Sequence, residues 1–291
     1  MRVDLLAGAA APSRAMSAPV PTILVFDSGV GGLSVFAELL RARPDARFVY
    51  AADDAAFPYG ALPEDHLVAR VLAVMERLLS RVAPTIVVIA CNTASTLVLP
   101  HLRRRFPEIP FVGTVPAIKP AAERSATGRI AVLATPGTVA RDYTHDLVRT
   151  YAAGCRVELV GSTRLAGIAE AELCGAPVPD AAISAEIAPC FVDADGARTD
   201  VVVLGCTHYP LLLPRLERLA PWSVTWIDPA PAIARRVVQL VGGPAPGHEG
   251  DGDEAFAIFT GGEGVTADLR RALAARGLPA WDLEPMPLRV G

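Results

Sequence analysis

From Thr22 onward, short apolar runs alternate with longer amphipathic segments. The apolar runs are rich in β-branched residues and predict buried strands. They are TILVFD, RFVYAAD, TIVVIAC, PFVGT, RIAVLAT, RVELVG, DVVVLGC, SVTWID and AFAIFT. Between most of them lie helical patterns such as EDHLVARVLAVMERLLSRV and PAIARRVVQLV, whose apolar residues recur every three or four positions. Strands that are apolar throughout and separated by helices predict parallel sheets covered on both faces, and therefore an α/β protein.

Four of the predicted strands end in a small polar residue or a thiol. One ends at Asp27-Ser28-Gly29, one at Cys91, one at Thr135-Pro136-Gly137 and one at Cys206. The separations are similar, with 64 residues from Asp27 to Cys91 and 71 from Thr135 to Cys206. This repeated arrangement of strand ends predicts two related α/β units, each with one thiol at the end of a strand. Because ligands of open parallel sheets bind at the carboxyl ends of strands, the thiols are expected on opposite walls of one cleft.

Polar residues follow both of these cysteines directly. Asn92-Thr93 comes after Cys91, and Thr207-His208 comes after Cys206. Amide and hydroxyl groups at a strand end bind polar ligands and stabilise a thiolate. The imidazole of His208 is a candidate general acid or base. The other cysteines lack such neighbours and are expected to be packing residues; they are Cys155, Cys174 and Cys190.

The segment DSGVGG after the first strand has two other interpretations. Glycine-rich turns that enter a helix bind phosphate. Here Ser34 occupies the position of the last glycine in the dinucleotide fingerprint, and the Asp27 carboxylate would repel phosphate, so nucleotide binding is disfavoured. The second interpretation, that Asp27 only caps the following helix, stays open.

Composition excludes several classes of protein. The chain has 291 residues, which suggests about two domains, and its net charge of −4 comes without a basic tract, so neither nucleic acid nor a membrane surface is an expected partner. The uncharged stretch 82–102 is interrupted by Pro84 and Pro100, which favours a buried strand and a turn over a membrane span. Five cysteines without Cys-x-x-Cys pairs predict free thiols, and therefore a reducing, cytoplasmic location.

Cofactor chemistry is also disfavoured. The single lysine, Lys119, lies between prolines in PAIKP, so a Schiff base with pyridoxal phosphate is not expected. The five histidines are scattered without ligand spacing, so no metal site is expected either.

Two segments are predicted to lack regular structure. Residues 1–21 contain only a faint signal-peptide pattern, with Asp4 where a positive charge belongs, so a disordered extension or a start at Met16 is expected. The stretch Gly242–Glu254 is rich in glycine, proline and acidic residues and predicts an exposed loop.

Six motifs occur in the order VFDSGVGGLSV, FPYG, ACNTAS, TVPAIKPA, ATPGTV and LGCTHYPLL. From about Thr22 to Val241 they resemble glutamate racemases, cofactor-independent enzymes that supply D-glutamate for peptidoglycan. His208 favours this branch over aspartate racemases, which usually carry an acidic residue there. The resemblance implies two similar three-layer domains with mainly parallel sheets and an active-site cleft between them. The first would comprise residues 22–115 and 223–291, the second residues 116–222.

The resemblance also implies residue roles. Cys91 would handle the proton of D-glutamate with help from Asp27, and Cys206 that of L-glutamate with help from His208. The positions that match substrate-binding residues are Asp27, Ser28, Tyr59, Gly60, Asn92, Thr93, Thr135, Thr138, Thr207 and His208. Pro58 and Glu170 are further candidates at the cleft. The expected ligand is glutamate, with no cofactor, and the chain is expected to act as a homodimer or a monomer.

The chemistry of inversion explains a pair of thiols. One base must remove the proton from one face of the carbon while an acid delivers a proton to the other face. A thiol suits both tasks because its pKa lies near working pH. Three other hypotheses are compatible with the sequence: an aspartate racemase, a decarboxylase with one catalytic cysteine, or a non-catalytic α/β binding protein.

Overall fold

The computed structural model describes residues 20–244 and 255–286, which form two parallel β-sheets flanked by helices. The strands are β1 Thr22–Asp27, β2 Arg47–Ala52, β3 Ile86–Ile89, β4 Phe111–Gly113, β5 Arg129–Ala134, β6 Arg156–Gly161, β7 Asp193–Ala194, β8 Ala197–Arg198, β9 Val201–Gly205, β10 Thr225–Ile227, β11 Phe256–Phe259 and β12 Ala280–Leu283. The helices are α1 Leu33–Ala42, α2 Glu64–Val82, α3 Asn92–Arg105, α4 Ile118–Arg124, α5 Pro136–Val139, α6 Asp142–Tyr151, α7 Leu165–Leu173, α8 Asp180–Ile187, α9 Leu213–Leu219, α10 Ala230–Val241 and α11 Ala267–Ala274. Most of the predicted N-terminal extension, Met16 included, and most of the Gly242–Glu254 loop lie outside the described residues.

The first sheet has the strand order β12-β11-β2-β1-β3-β4, and all its pairs are parallel. Side chains of the central strand β1 alternate between two cores. Ile23 and Val25 face a cluster that includes α1 and α10, whereas Leu24 and Phe26 face a cluster that includes α2 and α3. The sheet is therefore the middle of three layers, as its all-apolar strands predict.

The second sheet is smaller, with the strand order β10-β9-β5-β6. It is also parallel, and it too separates two cores. Helices α7 and α8 pack on one face, and α4 packs on the other. A short antiparallel hairpin of β7 and β8 stands apart from both sheets.

The predicted fold class, α/β with two mainly parallel sheets, is confirmed. Helix α2 coincides with the predicted helical pattern, and α10 begins one residue before its own. One boundary needs correction. Strand β10 pairs with β9 in the second sheet, with Thr225 opposite Val201, so residues 223–227 do not return to the first domain as expected. The run SVTWID predicts a strand but carries no signal for which sheet it joins. The domain division otherwise stays a prediction.

The helices of the described residues differ from membrane-spanning helices in length or hydropathy. Within residues 20–244 and 255–286, none of the helices has the length and apolar character needed to cross a lipid bilayer.

Candidate active site

The last residue of β1 is a buried carboxylate. Asp27 has no exposed surface, and its Oδ2 accepts a hydrogen bond from the Gly32 N–H at 2.7 Å, just before α1 begins. The helix-cap interpretation is thus correct for one oxygen. The other oxygen, Oδ1, is buried and has no hydrogen-bond partner within residues 20–244 and 255–286. Burial raises the pKa of Asp27, although the nearby charge of His208 and the Gly32 N–H oppose this effect. An unpaired oxygen on a buried acid indicates a reactive rather than a purely structural role.

Cys91 lies where β3 passes into α3. It is the residue that precedes the helix, has an extended backbone and is 5% exposed. Its Sγ lies 3.7 Å from the Ser28 Oγ, on the loop that also carries Asp27. Burial raises the pKa of Cys91 well above its ordinary value, and the Asp27 carboxylate raises it further. At neutral pH this residue is therefore held as a thiol.

Cys206 lies at the equivalent point of the second sheet, directly after β9. It is 6% exposed, and its Sγ lies 3.6 Å from Nδ1 of His208. The Nε2 of His208 in turn lies 2.9 Å from Oε1 of Glu170, on α7. Burial lowers the pKa of His208, but hydrogen bonds to Cys206 and Glu170 outweigh burial, so the pKa lies well above its ordinary value. Cys206 therefore sits beside an imidazolium.

The two strand ends face each other. The carboxylate of Asp27, at the end of β1, raises the pKa of His208, which follows β9. Two glycines permit this approach. A Cβ on Gly31 would lie 2.3 Å from the His208 ring, and one on Gly29 would lie 2.2 Å from the Glu170 carboxylate. Only glycine leaves that space free.

Hydrogen bonds also hold the loop after β1 against α7 and the segment after β9. The Val30 N–H donates to Oε1 of Glu170 at 3.0 Å, and the Ser34 hydroxyl donates to the Thr207 carbonyl at 2.8 Å. The loop after β1 is thereby bound both to α7 and to the segment after β9. The prediction from sequence that Glu170 belongs to the cleft gains a concrete partner, His208.

Asn92 supplies an amide with nothing bound to it. Its side chain is 2% exposed, and neither Oδ1 nor Nδ2 has a hydrogen-bond partner among the described residues. A buried amide without partners is costly in a native structure, which indicates that a polar ligand completes it. Asn92 begins α3 directly after Cys91, so that ligand would lie beside the thiol.

Three threonines join the two sheets at this place. The Thr93 Oγ1 lies 3.0 Å from that of Thr135 and 3.4 Å from that of Thr138. Thr135 also caps the short helix α5. The Gly60 main chain lies alongside, since a Cβ there would be 3.6 Å from the Thr135 Cβ. The predicted residues Gly60, Thr93, Thr135 and Thr138 are therefore brought together.

Tyr59 lies differently from what its predicted role suggests. Its side chain is buried, and its hydroxyl donates to Oδ2 of Asp53 at 2.6 Å. Only the main chain of the turn that Pro58 introduces is left to meet a ligand. Asp53 was not singled out from the sequence, although it directly follows β2 just as Asp27 ends β1.

No three or more histidine, cysteine, aspartate or glutamate side chains in the described residues are grouped so that they would hold a metal ion. All five cysteines are free thiols. Lys119 lies exposed on α4, 3.9 Å from Glu123. The structure therefore has two buried thiols in different surroundings, Cys91 beside Ser28 and Cys206 beside His208, with the unpaired amide of Asn92 next to Cys91. Such a pair can exchange protons with opposite faces of one small polar molecule.

Comparisons with known proteins agree with this geometry. The model of the Asp/Glu/Hydantoin racemase family matches residues 26–237. The glutamate racemase of Brucella canis is 52% identical over 267 residues, covering 92% of this chain and 96% of that protein. That of Mesorhizobium japonicum is 57% identical over 241 residues, covering 83% and 92%.

Solved structures give the same result. The Escherichia coli glutamate racemase, in complex with L-glutamate and the activator UDP-MurNAc-Ala, superimposes with a TM-score of 0.82 at 41% identity, covering 92% of this chain and 99% of that one. The RacE1 isoform of glutamate racemase from Bacillus anthracis gives 0.75 at 26% identity, covering 92% and 99%.

Proposed function

Because the chain belongs to the Asp/Glu/Hydantoin racemase family, we propose that it interconverts L-glutamate and D-glutamate without a cofactor. The observation that carries the proposal is the pair of buried thiols, Cys91 and Cys206, at the ends of β3 and β9, each with its own acid–base partner. In the cell this reaction would supply D-glutamate for peptidoglycan, in the cytoplasm.

For L-glutamate, the Cys206 thiolate removes the α-proton and the Cys91 thiol delivers a proton to the opposite face. The roles exchange for D-glutamate. The resting charges support this order, because the pKa of Cys91 is raised mainly by burial and the imidazolium of His208 adjoins Cys206.

Asp27 and His208 assist the exchange of roles. When Cys91 must act as the base, its proton needs an acceptor, and the Asp27 carboxylate is near enough for its charge to raise the pKa of Cys91. The pKa of Asp27 is raised, chiefly by burial, which brings it closer to working pH and makes it a better proton acceptor than an ordinary carboxylate. His208 serves Cys206 in the same way, and Glu170 keeps the imidazole oriented.

The carbanionic transition state needs polar support, because an α-proton next to a carboxylate is very weakly acidic. The unpaired amide of Asn92 lies directly beside Cys91, and Thr207 lies directly beside Cys206. Donors placed at both walls would stabilise the charge that develops on the α-carboxylate. The Tyr59-Gly60 main chain and the threonines at 93, 135 and 138 would hold the rest of the substrate.

Circular dichroism of the purified protein with single enantiomers tests the proposal. The optical signal of D-glutamate and of L-glutamate should each decay to zero without added pyridoxal phosphate, and that of the aspartate enantiomers should persist. A constant signal with every substrate would indicate a binding protein. Activity with aspartate alone, or only after pyridoxal phosphate is added, would refute the proposal.

A further inference from the structure

We propose that Asp53, held by Arg70 and Thr260, is a positioning residue that fixes the Tyr59-Gly60 turn at the substrate. The inference deepens the proposed function and rests on it for its kinetic consequence. Asp53 touches neither thiol. It acts through the turn that contributes main-chain groups to the cleft.

The Asp53 carboxylate is fully used. It lies directly after β2, is completely buried and accepts hydrogen bonds on both oxygens. Oδ2 accepts from the Tyr59 hydroxyl at 2.6 Å and from Nε of Arg70 at 2.8 Å. Oδ1 accepts from the Thr260 hydroxyl at 2.6 Å and from Nη2 of Arg70. Three parts of the chain thus meet on one side chain: the turn, α2 and the end of β11.

A buried ion pair is a weak source of stability, since apolar side chains of similar size often replace one without loss. What such a group supplies is geometry, because every donor must reach one fixed carboxylate. The main chain of Asp53 extends this frame. Its N–H donates to the Asp27 carbonyl at 2.9 Å, and its carbonyl accepts from the Ala56 N–H at 3.0 Å. Asp53 therefore connects the turn to the strand end that carries Asp27.

The turn itself depends on this anchor. The Tyr59 ring is buried against Phe26, with ring centroids 6.4 Å apart. The Gly60 main chain reaches the second sheet, because a Cβ on Gly137 would lie 3.6 Å from the Gly60 carbonyl oxygen. A phenol hydroxyl bound to a carboxylate is thus what sets how far Gly60 projects toward Thr135. Without it the ring stays buried, but the turn can shift.

Matched substitutions distinguish a role of these hydrogen bonds in positioning the turn from a role of the side chains in packing. Tyr59→Phe removes only the hydroxyl, and Thr260→Val removes the other neutral donor to Asp53 without changing side-chain shape. Thr260→Ser keeps the donor and serves as the conservative control, and Tyr151→Phe removes an exposed hydroxyl on α6, outside this network. For each variant, KM and kcat with both glutamate enantiomers are measured, together with amide hydrogen exchange of residues 57–62.

We expect Tyr59→Phe and Thr260→Val to raise KM about tenfold, in line with loss of a hydrogen bond to a charged group, while kcat changes less than about twofold. Amide exchange in the turn should be faster by a similar factor. The increase in KM should be equal for both enantiomers, since the turn belongs to neither thiol. Thr260→Ser and Tyr151→Phe should behave like the unaltered protein.

Other results overturn the inference. They are an unchanged KM with unchanged exchange in both variants, a fall of kcat alone, or equal losses in Thr260→Val and Thr260→Ser. Should Tyr59→Phe fail to fold, the Thr260 pair decides. Failure of the unaltered protein to racemise glutamate would refute the proposed function, whereas faster exchange in the turn would still show that Asp53 positions it.

Discussion

Replacing Gly31 with alanine should disable the Cys206 side of the site while leaving the Cys91 side intact. The added Cβ would lie 2.3, 2.5 and 2.6 Å from the Nδ1, Cγ and Cε1 atoms of His208. Ordinary contacts between heavy atoms begin near 3.4 Å, so the ring must retreat by about 1 Å. No change in backbone conformation is demanded, because Gly31 does not have a left-handed φ.

The ring cannot retreat without loss. His208 is buried, its Nε2 is bound to Glu170 at 2.9 Å, and the Phe57 ring lies 5.5 Å away between centroids. A shift of about 1 Å would disturb both the 3.6 Å contact from Nδ1 to the Cys206 Sγ and the 2.9 Å contact from Nε2 to Glu170. Misplacement of this size costs about 100-fold in kcat, or about 2.7 kcal/mol of activation free energy.

Racemisation is followed by circular dichroism. The two walls are then separated with glutamate analogues that carry a leaving group on the β-carbon, since elimination requires only one base. The L analogue should react about 100-fold more slowly in Gly31→Ala, and the D analogue nearly as fast as before.

Gly167→Ala is the matched control. Gly167 lies in α7 on the same helix as Glu170, but a Cβ there would meet nothing within 4 Å. This variant should keep full activity and gain about 0.5–1 kcal/mol of stability from helix propensity. A Gly31→Ala protein with kcat within threefold of the original, or with both half-reactions lowered equally, would contradict the reasoning.

Three further predictions concern the same site. Cys91→Ser and Cys206→Ser should each lose racemisation, because a hydroxyl is not deprotonated at neutral pH. Cys91→Ser should still catalyse elimination from the L analogue, and Cys206→Ser from the D analogue. If both variants acted on the same enantiomer, a mechanism with two bases would be excluded. Asp27→Asn should lower kcat but raise the free energy of unfolding by about 1–2 kcal/mol at pH 7. Burial raises the pKa of Asp27, so the contribution of this carboxyl group to stability is present below the unfolded pKa of about 3.9 and lost as pH rises through the folded pKa. The stability gained by Asp27→Asn should therefore vanish in acid. Denaturant unfolding at several pH values measures this gain. Arg141→Gln removes the ion pair that joins the residue before α6 to Glu64 on α2, and so links the helices of the two sheets. It should raise KM several-fold with little change in melting temperature, since Glu64 is exposed; an unchanged KM would show that the pair plays no part in substrate binding.

Local patterns account for the parts of the fold that the sequence predicts. Apolar β-branched runs define most of the strands of both sheets, and their shared endings lead to Cys91 and Cys206. Strand β12 was missed because its side chains are mostly exposed and it is only four residues long. It is held by long-range ion pairs, from Arg77 and Arg81 on α2 to Glu284 and Asp282, which no local pattern reveals.

At the site, too, contacts between residues far apart in the sequence could not be predicted from local patterns. Asp53 occupies a strand end just as Asp27 does, but its partner Thr260 is 207 residues away in the sequence. Tyr59 was predicted beside the substrate from its motif, and a motif does not indicate which way a side chain turns. Its hydroxyl faces inward to Asp53, so its main chain carries the predicted role.

The strand order has a consequence for synthesis on the ribosome. The last strand of the second sheet, β10, ends at Ile227, so that sheet is complete once its residues have left the exit tunnel. The first sheet contains the earliest strands but waits for β11 and β12, which pair beyond β2. Until residues 256–259 emerge, β2 is an open edge of a sheet whose neighbours are already formed, and open edges invite pairing with other chains. The first sheet, which contains the earlier strands, is thus completed after the second, and the nascent chain carries this open edge until β11 has emerged.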